Sequence, residues 1–513
     1  MKNTITILAL CLIGTLSFAQ QAPAIQWQKC LGGTGYEKAS NIATTNDGGY
    51  IIVGTTEESN NGDVTNNHGF SDGWVVKISN IGILEWQKTL GGVFDDTLYS
   101  VQQTSDGGYI VLGITTSSDL NLSGLNADGD YFVVKLSSLG VIEWQNAYGG
   151  SNNEIGIDIY QTTDSGYILA GETYSNNGEV TGNHGSYDAW IVKISNSGNL
   201  EWQKCFGGTA NDNVIDIQQT SDNGYILAGT TGSNDGNVMG NHGLNDAWLV
   251  KLSSSGNLEW QKALGGADND YAYKVQQTTD GDYILAGSTK SIDNDVLGNH
   301  GATDYWLVKL SNSGAIVWQK VMGGNLDDWA YDVKETTEGN FIVVGYTNSN
   351  DGDVTGNQGA SDAWIIKLSN SGTILWQKTM GGSKIENSHS FQQTTDGGYI
   401  LVGTTGSIDG DVSGNHSIYT DIWVVKLGPE LASTTFNNQA LTLYPNPTNG
   451  LLQLQTPNNT SFNKIIITDS TGKIVLEQTQ NTTQVDVEKL ASGLYIIKAF
   501  SGEEVFVNKF VKE

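Results

Sequence analysis

The sequence contains no arginine. All 25 basic residues are lysines, set against 55 acidic residues, for a net charge of -30. Such a chain repels a phosphate backbone, and it lacks the planar fork that reads guanine or grips phosphate. Nucleic acid is therefore excluded as a partner. A cationic partner, a divalent metal or a neutral glycan suits the field. Proline is scarce, at 5, and only 16% of residues are charged. Cysteine numbers 3. Cys30 and Cys205 both follow a "WQK" triplet, in different repeats, so they lie too far apart for a sulfur bridge. There is no nucleophile motif, phosphate loop or zinc signature.

Glycine is abundant, at 65, alongside 14 Trp and 21 Tyr. The aromatic residues supply ample apolar surface to bury, unlike a disordered chain. Turn-rich, aromatic-rich and helix-poor composition predicts an all-β protein.

The N-terminus, "MKNTITILALCLIGTLSFAQ", combines Lys2, an apolar run from Ile5 to Leu16, and small residues at Ser17 and Ala19 before a cleavage point. It reads as a signal peptide over residues 1–19, too short to span a bilayer. Leu10 precedes Cys11 where a lipoprotein needs a small residue, so that alternative is rejected. After cleavage, no stretch is long and apolar enough to be a transmembrane segment.

Trp27, Trp86, Trp144, Trp202, Trp260, Trp318 and Trp376 recur at a spacing of 59 and then 58 residues. Each of the seven units reads as four strands. In the fourth these are "VIDIQQT", "YILAGT", "DAWLVKL" and "LEWQKAL", with tight Gly-containing links after the first and third. Four-stranded antiparallel units at this period predict a seven-bladed β-propeller over residues 25–427. The chain opens with a lone outer-type strand around Trp27 and leaves the seventh unit without one. The opening strand is thus expected to complete the last blade.

The pattern "GxxDAWxVKLxxSGNxxWQKxxGG" followed by "GGYIxxGTTxS" resembles the β-propeller repeats (SBBP-type) of bacterial secreted proteins. The resemblance implies fold and export more than activity.

Residues present in every unit are expected to serve the fold. They include the Asp two positions before the aromatic residue of the third strand (Asp72, Asp246, Asp362 and equivalents), read as an acceptor of backbone N–H bonds. The Gly pair after each "WQ" strand, as at Gly207 and Gly208, is expected to permit positive φ. His68, His184, His242, His300 and His416, one per unit, form too wide a ring for a metal cluster.

Both long links of each unit fall on one face, where function usually sits. The longer link carries Asx or Glu residues two apart: Asn61/Asp63, Asp119/Asn121, Asn177/Glu179, Asp235/Asn237, Asp293/Asp295, Asp351/Asp353 and Asp409/Asp411. Carboxylates so spaced around a Gly can ligate Ca²⁺. Asp293, Asp295, Asp351, Asp353, Asp409 and Asp411 are the candidate calcium ligands, with Asx-turns as the alternative. The irregular places are "SSDLNLSGLNADGD", Gln358, "NLDDWAYD" and "SKIENSHS" with His389. Asp327 and Asp328 could pose as an acid/base pair, but Asp95/Asp96 repeat the arrangement.

Residues 428–440 read as a polar linker, and 441–513 as a small β-sandwich. This tail resembles the type A C-terminal sorting domain of the type IX secretion system. Tyr444, Pro445, Asn446, Pro447, Gly450, Gly493, Leu494, Tyr495 and Lys509 carry the resemblance. It implies the type IX secretion machinery as partner, export across the outer membrane, and removal of the tail with release or surface attachment. The expected function is a secreted or surface binding or structural module taking a glycan or protein on its loop face. The competing class is a secreted hydrolase or lyase acting on polysaccharide there.

Overall fold

The computed structural model describes residues 21–513, apart from 121, 123–124, 126–127, 417, 431–440, 457–459, 470–472, 480–481 and 502–503. The expected signal peptide lies outside the described residues, as does Cys11. The chain divides into two compact units, Met1–Pro429 and Glu430–Glu513.

The first unit is built from seven four-stranded antiparallel sheets. Six of them follow chain order, as in Asp212–Gln219, Tyr225–Thr231, Asp246–Leu252 and Leu258–Leu264. The third strand of every blade is buried along its length. Its apolar side chains meet neighbouring blades on both faces, which is why strict alternation is absent from the sequence. One core cluster joins Ile168, Ala170 and Ile191 of the third blade to Leu227, Trp248 and Val250 of the fourth.

The seventh sheet closes the ring. Ile25–Leu31 pairs antiparallel with Asp421–Leu427, matching Cys30 with Trp423 and Leu31 with Ile422. A further cluster packs Ile52, Trp74 and Val76 of the first blade against Ile400, Val402, Ile422 and Val424 of the last. The unit is a closed seven-bladed β-propeller.

The repeated polar residues have specific work. Lys251 of the third strand is buried. It bonds to Asp222 in the tight turn at 2.9 Å, to Glu259 on the outer strand at 3.1 Å and to the Leu252 carbonyl. Asp246 accepts both the His242 backbone N–H at 2.9 Å and its ring Nδ1 at 2.8 Å. The histidines therefore serve neighbouring aspartates one by one. Trp260 of one outer strand packs edge-on against Tyr283 of the next blade, 5.9 Å between centroids. Cys30 and Cys205 are buried free thiols, and burial pushes each up to about 12.

The Gly pair corrects the sequence-based expectation. Neither Gly207 nor Gly208 has positive φ. A Cβ on Gly207 would lie 2.7 Å from Asp188 Oδ1 and 2.8 Å from Asp212 Oδ2. The backbone passes between two buried carboxylates of adjacent blades, so close approach excludes a side chain.

The second unit holds a three-stranded and a four-stranded antiparallel sheet. Their facing apolar residues, among them Leu443, Leu452, Phe462, Ile465 and Phe506, form one core, giving a small sandwich.

Candidate functional site

Three regions could carry function: the long-loop face, the central channel and the C-terminal sandwich.

On the loop face, the acid pairs fasten one loop to another. The first residue of each pair accepts the backbone N–H just after the Gly pair, as Asp293 does from Ala267 (2.8 Å), Asp351 from Asn325 (2.9 Å) and Asp409 from Ser383 (2.7 Å). The next residue turns the chain at positive φ, as at Gly352 and Gly410, with Asn294 taking that role in the fifth blade. The second acid donates its own N–H to the first Gly of the pair: Asp295 to Gly265, Asp353 to Gly323 and Asp411 to Gly381, at 2.8–3.1 Å. A fully buried Val follows, such as Val296. The Asp295 and Asp411 carboxylates face the Gly265 and Gly381 N–H groups at 3.4 and 3.3 Å. In the fifth and seventh blades the two carboxylates of a pair thus address different donors rather than one point, while Asp353 Oδ2 is buried and accepts from none of the described residues. Among the described residues, no three His, Cys, Asp or Glu side chains are grouped to hold a metal ion. Asn121, of the second-blade pair, lies outside the described residues. Asp328 is buried and accepts from Gly324 N–H, Thr347 and Ser349, while Asp327 accepts from Thr303 at 2.6 Å. Both are bound into the scaffold.

Along the axis the symmetry breaks. In six inner strands a β-bulge falls at one position, and the bulged residues line a cavity of about 430 Å³ at the long-loop end of the channel. Around the ring these positions hold Ser40, Tyr99, Ile157, Ile215, Tyr273 and Tyr331, with His389 in the last blade. Tyr273 and Tyr331 meet edge-on at 5.2 Å, and Tyr331 lies 4.9 Å from the His389 ring. Trp329 extends this wall toward Tyr271, at 5.5 Å. Burial pulls His389 down to about 4, so it is uncharged at neutral pH.

Below the wall, Asp158, Asp216, Lys274 and Asp332 form the floor. Asp158, Asp216 and Asp332 each accept a backbone N–H of the next blade, from Ile217 (3.1 Å), Val275 (2.9 Å) and Phe391 (3.2 Å). Lys274 has no acceptor to offer and bonds back to Asp216. Burial opposes its charge, but Asp216, Asp158 and Asp332 outweigh burial and hold its pKa above the usual lysine range. Deeper still, Lys334 donates to the Phe391 carbonyl at 2.6 Å and lies 3.6 Å from Asp332. Burial draws its pKa below the usual range, Asp332 opposing. The other oxygen of Asp332, Oδ1, is buried and accepts no hydrogen bond from the described residues.

The sequence reading missed this floor. Its irregular stretches "NLDDWAYD" and "SKIENSHS" were the available signal, since Trp329, Tyr331, Asp332 and His389 come from them.

In the sandwich, the proline-flanked motif docks on the last strand. Asn446 accepts from Val511 N–H at 2.9 Å and donates to the Lys509 carbonyl at 3.2 Å. The peptide bonds before Pro445 and Pro447 are cis. The Gly450 carbonyl accepts from Val487. Gly493 and Leu494 open the strand Gly493–Ser501, in which Tyr495 stacks on Phe510 at 5.6 Å and donates to the Ala491 carbonyl at 2.9 Å. Tyr444 is half exposed.

Residues 442–513 match the secretion system C-terminal sorting domain. The sorting domain marks the chain for export by the type IX system, so the protein is secreted or displayed at the cell surface. No helix among the described residues is long and apolar enough to cross a membrane. No curated protein matches the chain. Among solved structures it is similar to the extracellular domain of the one component system BT4673 from B. thetaiotaomicron (9% identity, TM-score 0.39), covering 94% of this chain but only 60% of that one. It is also similar to PorZ, a surface component of the type-IX secretion system of Porphyromonas gingivalis (10% identity, TM-score 0.24; 96% of this chain, 86% of that one). A third is YCF48 bound to D1 peptide (8% identity, TM-score 0.39; 79% and 99%).

Proposed function

We propose that the mature protein is an extracellular binding module, a rigid propeller whose ligand enters at the long-loop end of the channel. Residues 1–19 serve as its signal peptide, and the sorting domain is removed or used for attachment once outside.

One observation carries the reading. Loop residues repeat from blade to blade, and the first carboxylate of each acid pair accepts from an N–H donor of the neighbouring loop. The channel mouth instead sets unlike side chains at equivalent positions, around a cavity large enough for a small ligand. A loop-face hydrolase or lyase would need free acids there, and Asp327 and Asp328 are occupied.

The test is a binding screen of glycans, peptides and small metabolites on the full chain, repeated with Tyr273→Leu. A ligand that loses affinity in the variant at unchanged melting temperature supports the mouth as the site. Ligands indifferent to the variant would move binding elsewhere. For export, deleting 442–513 is expected to leave the propeller inside the producing cell.

A further inference from the structure

The channel mouth has a chemistry of its own. Its wall on the side of the fifth to seventh blades is aromatic: Tyr273, Tyr331 and the uncharged His389, with Tyr99 also lining the cavity. Four carboxylates line the cavity, Glu57, Asp158, Asp216 and Asp332, against three ammonium groups, Lys38 and Lys274 on the lining and Lys334 beneath Asp332. Lys38 pairs with Glu57 at the rim, at 3.3 Å, and Lys274 pairs with Asp216. Asp158 is satisfied by Ser100 at 2.6 Å and by Ile217 N–H. Asp332 Oδ2 accepts from the Ser390 hydroxyl and the Phe391 N–H, both at 3.2 Å, while Oδ1, itself buried, accepts from none of the described residues. Asp332 is 3% exposed. Lys334 is the cation beneath it, and it is committed to the Phe391 carbonyl. Aromatic faces above a net negative floor attract positive charge through the ring quadrupoles and the carboxylates together. Among the described residues no three His, Cys, Asp or Glu side chains are grouped here to hold an inorganic cation.

We propose that the channel mouth binds a small organic ammonium ion, its alkyl surface against Tyr273, Tyr331 and His389 and its charge over Asp332. This rests on the channel mouth being the binding site and names the ligand class for it. The blades enclose the cavity all round, so a slender group enters and a folded partner does not.

The probe is tetramethylammonium chloride, titrated calorimetrically into the full chain. Sodium chloride controls for ionic strength and tert-butanol supplies the same shape without charge. Saturable heat is expected with tetramethylammonium only. Tyr331→Leu, which keeps apolar volume but loses the ring, is expected to weaken binding about tenfold, and Tyr331→Phe to preserve it. Asp332→Asn is expected to weaken it comparably, with thermal melting checking that each variant is folded. Where Asp332→Asn fails to fold, the Leu/Phe pair at position 331 decides. No saturable heat with tetramethylammonium, or equal binding by the Leu and Phe variants, overturns the proposal. If tert-butanol or a neutral monosaccharide binds the mouth and tetramethylammonium does not, the cation assignment falls while the binding-module reading stands. If nothing binds there, both fall.

Discussion

The Trp423 indole donates a hydrogen bond to the Gln28 side chain at 2.8 Å, across 395 positions of sequence. That bond lies in the seam between the first strand and the last, where Leu31 is fully buried against Ile422.

Leu31→Ala is therefore expected to destabilise the whole propeller by about 3 kcal/mol, despite its place near the start of the chain. Urea unfolding monitored by circular dichroism measures this. A loss below about 0.5 kcal/mol would mean that the seam is not needed for ring stability.

Gly207→Ala inserts a methyl group between Asp188 and Asp212. Overpacking of this kind costs about 1–3 kcal/mol. Backbone strain is no part of that cost, since Gly207 lacks a positive φ. The same change at Gly107, where φ is 84° and the space is open, is expected to act through backbone strain alone. Double substitution at Gly207 and Asp212, the latter to Ala, should recover part of the Gly207→Ala loss, whereas simple additivity would argue against the contact.

The loop acids can be tested against calcium directly. Asn61 and Asn177 already cap the equivalent N–H groups in the first and third blades, at 3.0 and 2.9 Å. Asp293→Asn is thus expected to melt within a degree or so of the parent, while Asp293→Ala costs about 1 kcal/mol. Melting in calcium and in chelator is expected to coincide. A saturable rise with calcium that Asp293→Asn abolishes would instead make the pair a cation site.

Two groups set opposite slopes in acid. Burial acts to raise Asp222, but the Thr220 hydroxyl, Lys251 and the Gly224 N–H hold it at about 2. Its stabilisation is present above the ordinary value of 3.8 and is lost as pH falls toward 2. Asp362 is pushed up to about 6, by burial first and also by Glu386 and Asp411, against the Gln358 N–H. It takes up a proton in the folded state between 3.8 and 6, so its stabilisation is fully present below 3.8 and is lost as pH rises through 6. Unfolding free energies measured from pH 2 to 7 should fall less steeply below about pH 4 in Asp222→Asn, by one group's share, since Asp47, Asp106 and Asp280 are also held at about 2. In Asp362→Asn the decline between about pH 4 and 6 should be shallower by one group's share, since burial also raises Asp72, Asp188 and Asp246. Unchanged profiles would contradict both assignments. Gln358→His supplies the partner that Asp304 has in His300 at 2.9 Å, and is expected to lower Asp362 and add up to about 1 kcal/mol at neutral pH.

The ring, its four-stranded blades and its closing strand were legible because each leaves a local trace: a period of 58, turn residues at fixed offsets, and one outer strand out of place. The reason for Gly207 was not legible, since Asp188 and Asp212, which crowd it, belong to different blades. For the loop acids, spacing along the chain shows which oxygens are close, but not that N–H groups of another loop, such as that of Ala267 at Asp293, reach them. The channel floor was hidden for a related cause. It takes one residue from each of four blades, and the bulge beside that residue, as between Ala272 and Lys274, has no signature in a single repeat. Tyr331 and His389 were visible only as departures from the repeat.

The seam also bears on biogenesis. Ile25–Leu31 emerges early but cannot find its mate until Asp421–Leu427 has been made. Until then the nascent protein carries two unpaired strand edges, the kind of surface that seeds aggregation. Completion of the circle is in effect a proofreading step: a polypeptide truncated before residue 427 never acquires the shape of the finished one, and its sticky ends advertise the failure.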